Sequence, residues 1–309
     1  MSCTIGPPSF PYTPGGDVCG IVVAIPEDNT KEKCKFKVGD KIAARFANKP
    51  MGMLGEYALV NTDVCDIVPN SISSEGAAAL VSSGMVGVIL SDNIKEGDRV
   101  LIFGAGGGVG SHLCQMVKNQ GASYVAGVSE DPQRLMESPL KCDYAIDYTK
   151  TDPFTDVKEW QENPFDVIFD LSGGAWPQLV KQKKSKSPFI IKPGNKGGRY
   201  LTTTPDNPWF ELHTVFAMFS TFIAPSLKRY LSSRMLSRRS MPKYSYVLAL
   251  PSDDVVVKKT LKLAADGKLV PCIDPKGPFP FTNKGVRDAF RLQESRHAKG
   301  KVVIKVAEE

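Results

Sequence analysis

Short apolar runs separated by turn-forming residues dominate the first part of the chain. Val18 to Ile25 has the composition of a buried strand and ends in the turn-rich PEDNTKEK, whereas Phe36 to Ile42 predicts a turn followed by a strand. Gly55 to Val60, GEYALV, predicts another short strand. The chain therefore opens with a β-rich region that extends to about Pro69.

The spacing of the apolar residues changes after this region. Ser73 to Leu90 has helical spacing, with small residues that permit close packing, and from Val100 onwards strand-like runs alternate with helical segments. This alternation is typical of a parallel sheet covered by helices on both faces. The predicted strands are Arg99–Phe103, Tyr124–Val128, Tyr144–Ile146, Val167–Leu171 and Lys299–Val306, and the predicted helices include Val109–Gln120 and Asp131–Ser138.

A glycine-rich turn joins the first of these strands to its helix. The stretch LIFGAGGGVG, from Leu101 to Gly110, is followed by SHLCQMVKNQGA with helical spacing. A strand, a turn without side chains and a helix N-terminus together bind a dinucleotide pyrophosphate, because phosphate oxygens must approach the backbone amides closely. The predicted cofactor-binding residues of the turn are Gly104, Ala105, Gly106, Gly107, Gly108, Val109 and Gly110.

Composition narrows the class of protein. The 309 residues are 42% hydrophobic and 23% charged, as in soluble globular proteins of one large or two ordinary domains. A net charge of +6 fits an anionic cofactor or solvated lysines better than nucleic-acid binding. The seven cysteines show no C-x-x-C spacing, and no secretory signal follows Met1, so we expect reduced thiols in an intracellular compartment, cytoplasmic by default.

Two basic segments flank the most apolar stretch of the chain. Trp209 to Pro225 is short and is interrupted by Glu211 and His213, which favours a buried or interface helix over a membrane span. Lys181 to Lys186 and Lys228 to Lys243 are dense in lysine and arginine. We interpret both as solvated helix faces and loops, with contact to anionic lipid as the second interpretation.

The order of the motifs resembles a known superfamily. The series FPYTPGGDVCGIV, FKVGDKI, GEYALV, EGAAALVSSGMVG, IKEGDRVLIFGAGGGVG, AIDYTKTD, DVIFDLSGG, GGRYLT and GKVVIKV is similar to that of the medium-chain dehydrogenase/reductases. Within them, it resembles the zinc-independent quinone oxidoreductase-like branch. The resemblance implies an α/β fold, a Rossmann doubly wound parallel sheet plus an incomplete GroES-like β-barrel. It also implies a GroES-like domain over residues 1–85, a Rossmann domain over 86–269 and a return to the barrel over 270–309.

The chain departs from the family pattern at several points. Met1 falls just before PYTPGGD, so the N-terminal part of the barrel, which supplies a polar residue near the nicotinamide in the resembled family, is expected to be missing. An organelle is the alternative location if an upstream transit peptide is missing as well. Gly16 stands where zinc-dependent relatives carry histidine, so no metal is predicted. Val86 replaces a threonine near the nicotinamide, and Ala105 replaces the first glycine of the fingerprint.

Cofactor choice is open between two interpretations. Glu130 lies twenty residues past Gly110, where an acidic side chain binds the adenosine ribose of NAD and repels a 2′-phosphate. Ser129 and Arg134, with help from Lys150, fit the NADP sites that prevail in the resembled branch. NADP(H) is favoured and NAD(H) is the alternative, since Glu130 and Asp131 can instead face solvent or cap the next helix.

The resemblance implies hydride transfer from NAD(P)H to a quinone or an α,β-unsaturated carbonyl, without zinc. Gly173 and Gly174 are predicted to border the nicotinamide, and Tyr57, Ser82 and Ser83 are weak catalytic candidates. His112 is interpreted first as a helix-surface residue and second as a cofactor contact, and His213 and His297 as surface or packing residues. The alternative function is a non-catalytic NADPH-binding or interaction protein. The expected partners are the small-molecule substrate and a second copy in a homodimer.

Overall fold

The computed structural model describes residues 13–25, 34–45, 52–185, 188–206, 219–235, 241–248 and 254–308. The strands in these ranges are β1 (Asp17–Ile21), β2 (Lys41–Arg45), β3 (Cys65–Ile67), β4 (Arg99–Phe103), β5 (Tyr124–Val128), β6 (Tyr144–Ile146), β7 (Val167–Asp170), β8 (Arg199–Thr202), β9 (Lys243–Tyr246), β10 (Phe279–Pro280) and β11 (Ile304–Lys305). The α-helices are α1 (Ser74–Ala79), α2 (Met85–Ser91), α3 (Gly108–Asn119), α4 (Pro132–Met136), α5 (Lys158–Glu162), α6 (Ala175–Ser185), α7 (Ala224–Met235), α8 (Val255–Ala265) and α9 (Asn283–Ser295).

Six parallel strands form the larger sheet in the order β6-β5-β4-β7-β8-β9. The chain runs outwards from β4 to β6 on one side and from β7 to β9 on the other. This order is the doubly wound arrangement, and its topological switch point lies between β4 and β7. The predicted Rossmann sheet is confirmed, and the crevice at the carboxyl ends of β4 and β7 is where such folds bind ligands.

The alternation of side chains along β4 explains why the strand is apolar throughout. Leu101 and Phe103 pack in a cluster with Trp160 and Trp176 on one face of the sheet, whereas Val100 and Ile102 pack with residues of α3 on the other. Both faces are covered by helices, so successive residues are all buried. The same arrangement makes β5 and β7 uninterrupted apolar runs in the sequence.

The N-terminal sheet corrects one prediction. β1 pairs antiparallel with β2, and β2 with β3. The strand predicted as buried from Val18 to Ile25 ends at Ile21, and Ile21 and Val23 are 57% and 62% exposed. Because β1 is an edge of the described three-stranded sheet, its apolar residues are only partly covered. The turn and strand predicted at Phe36–Ile42 are confirmed by the turn before β2.

The strand predicted at Gly55–Val60 is wrong. This segment contains bends and makes no ladder with any described strand. Tyr57 and Leu59 are 78% and 75% exposed. Within the described ranges, no neighbouring strand pairs with the backbone of this alternating run.

A helical stretch from Ser74 to Ser91 confirms the helix predicted over Ser73–Leu90. It consists of α1, a π-helical turn at Leu80–Gly84, and α2, and Ser73 caps its start by accepting from the Gly76 N–H at 3.1 Å. A Cβ on Gly87 would lie 3.1 Å from the backbone N of Leu113, so this glycine permits the close crossing of α2 and α3. By length and composition alone the stretch could span a membrane, but 67% of it is buried, as in a core helix.

The C-terminal part confirms a final strand in shortened form. β11 covers two residues of the predicted Lys299–Val306 strand and pairs with β10, and Lys301 makes a single bridge to Ile273. The helices predicted at Val109–Gln120 and Asp131–Ser138 correspond to α3 and the shorter α4. The domain boundaries at 85/86 and 269/270 stay predictions.

Much of the apolar stretch Trp209–Pro225, including His213, lies outside the described residues. Its described end, from Phe219 to Pro225, is not buried, since Phe219 and Ile223 are 47% and 46% exposed. Of the basic segments, Lys181, Lys183 and Lys184 are exposed on α6, which agrees with a solvated helix face. The segment Lys228–Lys243 is described only up to Met235 and from Met241.

Candidate functional site

The glycine turn forms the end of β4 and the N-terminus of α3, as predicted. Gly104 has a φ of +75°, which favours glycine, and Gly107 precedes the first helical residue with no side-chain cap. The Ala105 N–H bonds to the Val128 carbonyl at 3.2 Å, and this bond links the turn to the end of β5. The turn therefore sits at the carboxyl edge of the sheet with a helix N-terminus available to an anion.

Space around the glycines separates their roles. A Cβ on Gly110 would lie 2.2 Å from the Gly104 carbonyl oxygen, so Gly110 allows α3 to pack against the turn. A Cβ on Gly106 would lie 2.6 Å from the Ser129 hydroxyl. On Gly107 the nearest atom would be 3.6 Å away, an ordinary contact that leaves the protein interior undisturbed. The absence of side chains at these positions makes a cradle that fits a dinucleotide pyrophosphate.

A second turn, Ser172–Gly174, meets the glycine turn across the switch point. A Cβ on Gly104 would lie 3.3 Å from the Ser172 N. Gly173 and Gly174 have φ values of +84° and +92°, so the turn favours glycine at both places. The structure thus brings these two predicted residues to the same end of the sheet as the glycine turn.

Asp170, at the end of β7, holds this second turn in shape. Its carboxylate accepts hydrogen bonds from the Gly173 N–H at 2.7 Å, the Ala175 N–H at 3.0 Å and the Tyr200 hydroxyl at 2.6 Å. The carboxylate is buried, and burial together with its charge raises the pKa of Tyr200, so the phenol stays protonated and donates. Asp170 organises both the turn and the start of α6.

We expect Asp170→Asn to lower the free energy of unfolding by about 2 kcal/mol, because an amide cannot accept all of these bonds and presents a donor to donors. Tyr200→Phe is the matched control. It removes one donor and leaves the backbone donors paired, so its expected cost is about 1 kcal/mol. Urea unfolding of both variants measures the difference. Equal losses would show that the backbone bonds to Asp170 contribute little.

The residues predicted to choose the cofactor lie together after β5. Ser129 is placed against Gly106, and the Arg134 guanidinium donates to the Gly106 carbonyl at 3.2 Å. Asp131 caps α4 by accepting from the Arg134 N–H, as predicted, and the Lys299 ammonium lowers the pKa of its carboxyl. Glu130 accepts from the Tyr148 hydroxyl at 2.5 Å. Lys150 instead pairs with Asp147 and is largely exposed.

His112 corrects the prediction of a surface histidine. It is completely buried on α3, and its Nε2 accepts from the Cys272 N–H at 3.0 Å while its Nδ1 lies 2.6 Å from the Gly108 carbonyl oxygen. This pairing assigns the proton to Nδ1. Burial lowers the pKa of His112 to about 4, so the imidazole is neutral near pH 7.

His112 is one of three residues that join α3 to an extended segment. Gln115 exchanges hydrogen bonds with the backbone of Val270 at 2.8 and 3.0 Å, and Asn119 donates to the Lys268 carbonyl at 2.6 Å. The three side chains share a helix face and meet alternate residues of the segment. They fix the segment that leads back to the C-terminal strands against the glycine helix.

The catalytic candidates are not assembled as a group. Ser83 is buried, and its hydroxyl would lie 3.1 Å from a Cβ on Gly108, which places it beside the first turn of α3. Ser82 donates to Asp17, which also binds the Lys301 ammonium. Tyr57 is exposed on the irregular segment after Gly55.

Asp17 therefore does more than anchor a local turn. Its carboxylate joins β1 to the π-helical turn and to the C-terminal segment through Ser82 and Lys301. Within the described part of the chain, no three His, Cys, Asp or Glu side chains are grouped so that they could hold a metal ion.

Several residues at the site escaped sequence reasoning. Asp170 ends an apolar run and could have been noticed as an acidic residue at a strand terminus. Tyr148, Arg296 and His297 come from segments distant in sequence, and Arg296 donates to the Ser172 carbonyl at 2.8 Å. Arg296 and His297 follow α9, so their position depends on how that helix packs, which no local pattern reports.

A family model described as zinc-binding dehydrogenase matches residues 140–304, more than half of the chain. The chain belongs to this family. Together with the relatives below, the match confirms the resemblance to the quinone oxidoreductase-like branch of the medium-chain dehydrogenase/reductases.

Two curated relatives match along almost all of the chain. The NADPH-dependent alkenal/one oxidoreductase of Arabidopsis thaliana chloroplasts is 29% identical over 305 residues, which are 96% of this chain and 64% of that protein. The mitochondrial NAD(P)H oxidoreductase RTN4IP1 of Homo sapiens is 29% identical over 310 residues, which are 96% of this chain and 71% of that protein. The chain thus spans about two thirds of the length of these relatives.

The fold agrees with a solved structure of the branch. The quinone oxidoreductase of Escherichia coli, complexed with NADPH, aligns with a TM-score of 0.70 at 19% identity. The alignment covers 97% of this chain and 84% of the Escherichia coli chain. This likeness confirms the predicted α/β fold with Rossmann and GroES-like parts.

Proposed function

We propose that this protein is an NAD(P)H-dependent oxidoreductase that transfers hydride to a quinone or an α,β-unsaturated carbonyl. The observation that carries the proposal is the glycine turn between β4 and α3, which meets the Ser172–Gly174 turn at the topological switch point. A dinucleotide laid across this crevice has its pyrophosphate at the helix N-terminus. The names of the Arabidopsis and human relatives support the reaction class.

The residues that would hold the cofactor follow from the direction of the crevice. The backbone amides of Gly106, Gly108 and Val109 would face the pyrophosphate, whereas the Gly107 N–H donates to the Gly104 carbonyl within the turn. Ser129 and Arg134 would lie at the adenosine end, and Gly173 and Gly174 would border the nicotinamide. Bound NAD(P)H would supply the hydride, while the protein orients it and excludes water. We propose NADP(H) as the preferred cofactor, because Arg134 is anchored at the turn and the Arabidopsis relative is named NADPH-dependent.

The substrate carbonyl is proposed to be polarised without zinc. Gly16 has no side chain that could ligate a metal where zinc-dependent relatives carry histidine. Polarisation then falls to backbone amides, a hydroxyl or water. Ser83 is the stronger hydroxyl candidate because it lies beside α3, whereas the hydroxyl of Ser82 is engaged by Asp17.

Steady-state assays with the full chain test this function. We expect oxidation of NADPH, followed at 340 nm, in the presence of quinones or enones and not in their absence, with NADH giving a lower kcat/KM. Nucleotide binding by fluorescence is measured in parallel. Absence of binding by either nucleotide would overturn the proposal. Binding without turnover by any substrate in the panel would instead support the alternative.

That alternative is a non-catalytic nucleotide-binding or interaction protein. The placement of Val86 favours it, since this side chain packs against two apolar clusters and offers no hydroxyl near the proposed nicotinamide position. Retention of Gly107 and Gly110 permits cofactor binding in either case.

Partners and compartment are proposals of the same kind. A homodimer is the proposed assembly, and membrane contact by the basic segments stays the second interpretation. The proposed location is intracellular; the relatives named chloroplastic and mitochondrial make an organelle the first compartment to test beside the cytoplasm.

A further inference from the structure

The segment Arg296–Lys299 lies across the carboxyl ends of β5 and β7. Arg296 reaches the Ser172 carbonyl after β7, whereas the Lys299 ammonium lies 2.6 Å from Asp131 after β5. Between them, the His297 Nδ1 lies 2.9 Å from a carboxylate oxygen of Glu130. The segment therefore borders the end of the crevice where the adenosine ribose of the proposed cofactor would lie.

At the adenosine end of the crevice, the carboxylate of Glu130 disfavours NADP(H). A carboxylate at the end of the second Rossmann strand accepts hydrogen bonds from the ribose hydroxyls of NAD and repels a 2′-phosphate. Here two side chains already contact that carboxylate, the Tyr148 hydroxyl at 2.5 Å and the His297 imidazole at 2.9 Å. Burial, with Glu130 adding to it, raises the pKa of Tyr148 to about 12, so the phenol remains a donor.

The carboxylates of Glu130 and Asp131 contact different side chains. Asp131 has its own partner in Lys299, and Arg134 is directed to the Gly106 carbonyl. Among the described residues, the His297 imidazole and the Tyr148 hydroxyl are the side chains in contact with the Glu130 carboxylate. Removing the imidazole would take away one of these two hydrogen-bond partners.

We propose that His297 is a specificity-determining residue, which hydrogen-bonds the Glu130 carboxylate and holds it so that the site accepts a 2′-phosphate despite its acidic residue. The proposal rests on the proposed function, because it assumes a dinucleotide in this crevice. The Tyr148 hydroxyl, which comes from the segment after β6, donates to the same Glu130 carboxylate and so acts together with His297. NADPH preference then depends on a side chain 167 residues from Glu130 in the sequence rather than on the fingerprint loop alone.

The test uses the full chain and dissociation constants for NADPH and NADH. We expect His297→Ala to weaken NADPH binding about tenfold, equivalent to about 1.4 kcal/mol, and to change NADH binding by less than about twofold. Glu130→Gln should leave NADPH binding equal or tighter. In the double variant His297→Ala/Glu130→Gln, NADPH affinity should return to that of Glu130→Gln, because the carboxylate that His297 contacts is then absent.

Lys299→Ala is the matched control, since it removes a basic side chain of the same segment that contacts Asp131 rather than Glu130. Any change that Lys299→Ala makes in NADPH affinity should be the same when Glu130→Gln is also present. If His297→Ala leaves the NADPH-to-NADH ratio unchanged, or if the double variant binds NADPH as weakly as His297→Ala, the inference is wrong and the proposed function stands. If the unaltered chain binds neither nucleotide, both are overturned. Circular dichroism of each variant separates loss of folding from loss of specificity.

Discussion

Gly110→Ala lowers the free energy of unfolding by about 3 kcal/mol or more and abolishes nucleotide binding. The new Cβ would lie 2.2 Å from the Gly104 carbonyl oxygen and 2.7 Å from the Ala105 Cα and carbonyl oxygen. These are backbone atoms of the same turn, so no side-chain rotation relieves the clash. The start of α3 must move away from β4, which opens the core beneath Leu113.

Gly107→Ala is the control that separates fold from binding. Its Cβ would meet only the Gly104 carbonyl oxygen at 3.6 Å, and its φ of −76° suits any residue. We expect the free energy of unfolding to change by less than about 0.5 kcal/mol, whereas NADPH affinity falls because the methyl group enters the cradle. Urea unfolding and fluorescence titration of both variants give the two readouts. A stable Gly110→Ala that still binds NADPH would contradict this account of the turn.

Acidification destabilises the protein through His112. The side chain is buried and neutral, and burial lowers its pKa from 6.5 to about 4. In the unfolded chain it takes up a proton below pH 6.5, while the folded protein resists protonation until about pH 4. The unfolded state therefore binds more protons in this window, and stability falls as the pH falls.

The expected loss is about 3 kcal/mol between pH 6.5 and pH 4, since the shift is roughly 2.5 pH units at about 1.4 kcal/mol each. Above pH 6.5 the contribution is complete and constant. Protonation of Nε2 would remove the acceptor of the Cys272 N–H and release the segment that α3 holds.

Urea unfolding at pH 7, 5.5 and 4.5 measures this loss against His112→Gln. Glutamine offers a donor and an acceptor but does not titrate, so the free energy of unfolding of the variant should fall less steeply as the pH falls. Because carboxylates titrate in both proteins, the difference between the two pH profiles isolates His112. Parallel profiles would show that His112 does not control acid stability.

The sequence predicted the α/β fold because each buried strand is short, apolar and followed by a helix. β4, β5 and β6 begin and end at the predicted residues. For β4 and β5, burial on both faces of the sheet leaves a nearly continuous apolar run. The error at Gly55–Val60 has the opposite cause. An alternating run becomes a strand only where a partner supplies hydrogen bonds, and local composition does not report the partner.

The candidate site was predictable from the sequence only where its geometry depends on local backbone conformation. Glycine is required at Gly104, Gly173 and Gly174 by their positive φ values and at Gly110 by the close backbone approach, and these requirements leave a local signature in the sequence. His112 could not be placed, because its burial depends on the segment around Cys272, 160 residues away. The same holds for His297 at Glu130, a contact across 167 residues.

The sequence alone determined the alternation of strands and helices from Arg99 to Ile146 and the glycine turn that starts α3, because both depend on periodicity and on backbone conformations that few residues adopt. Tertiary structure decided which polar side chains meet at that turn. Hydrogen bonds and charge pairs between distant segments form only after the helices have packed on the sheet, so the partners of His112, Asp170 and Glu130 are properties of the packed chain.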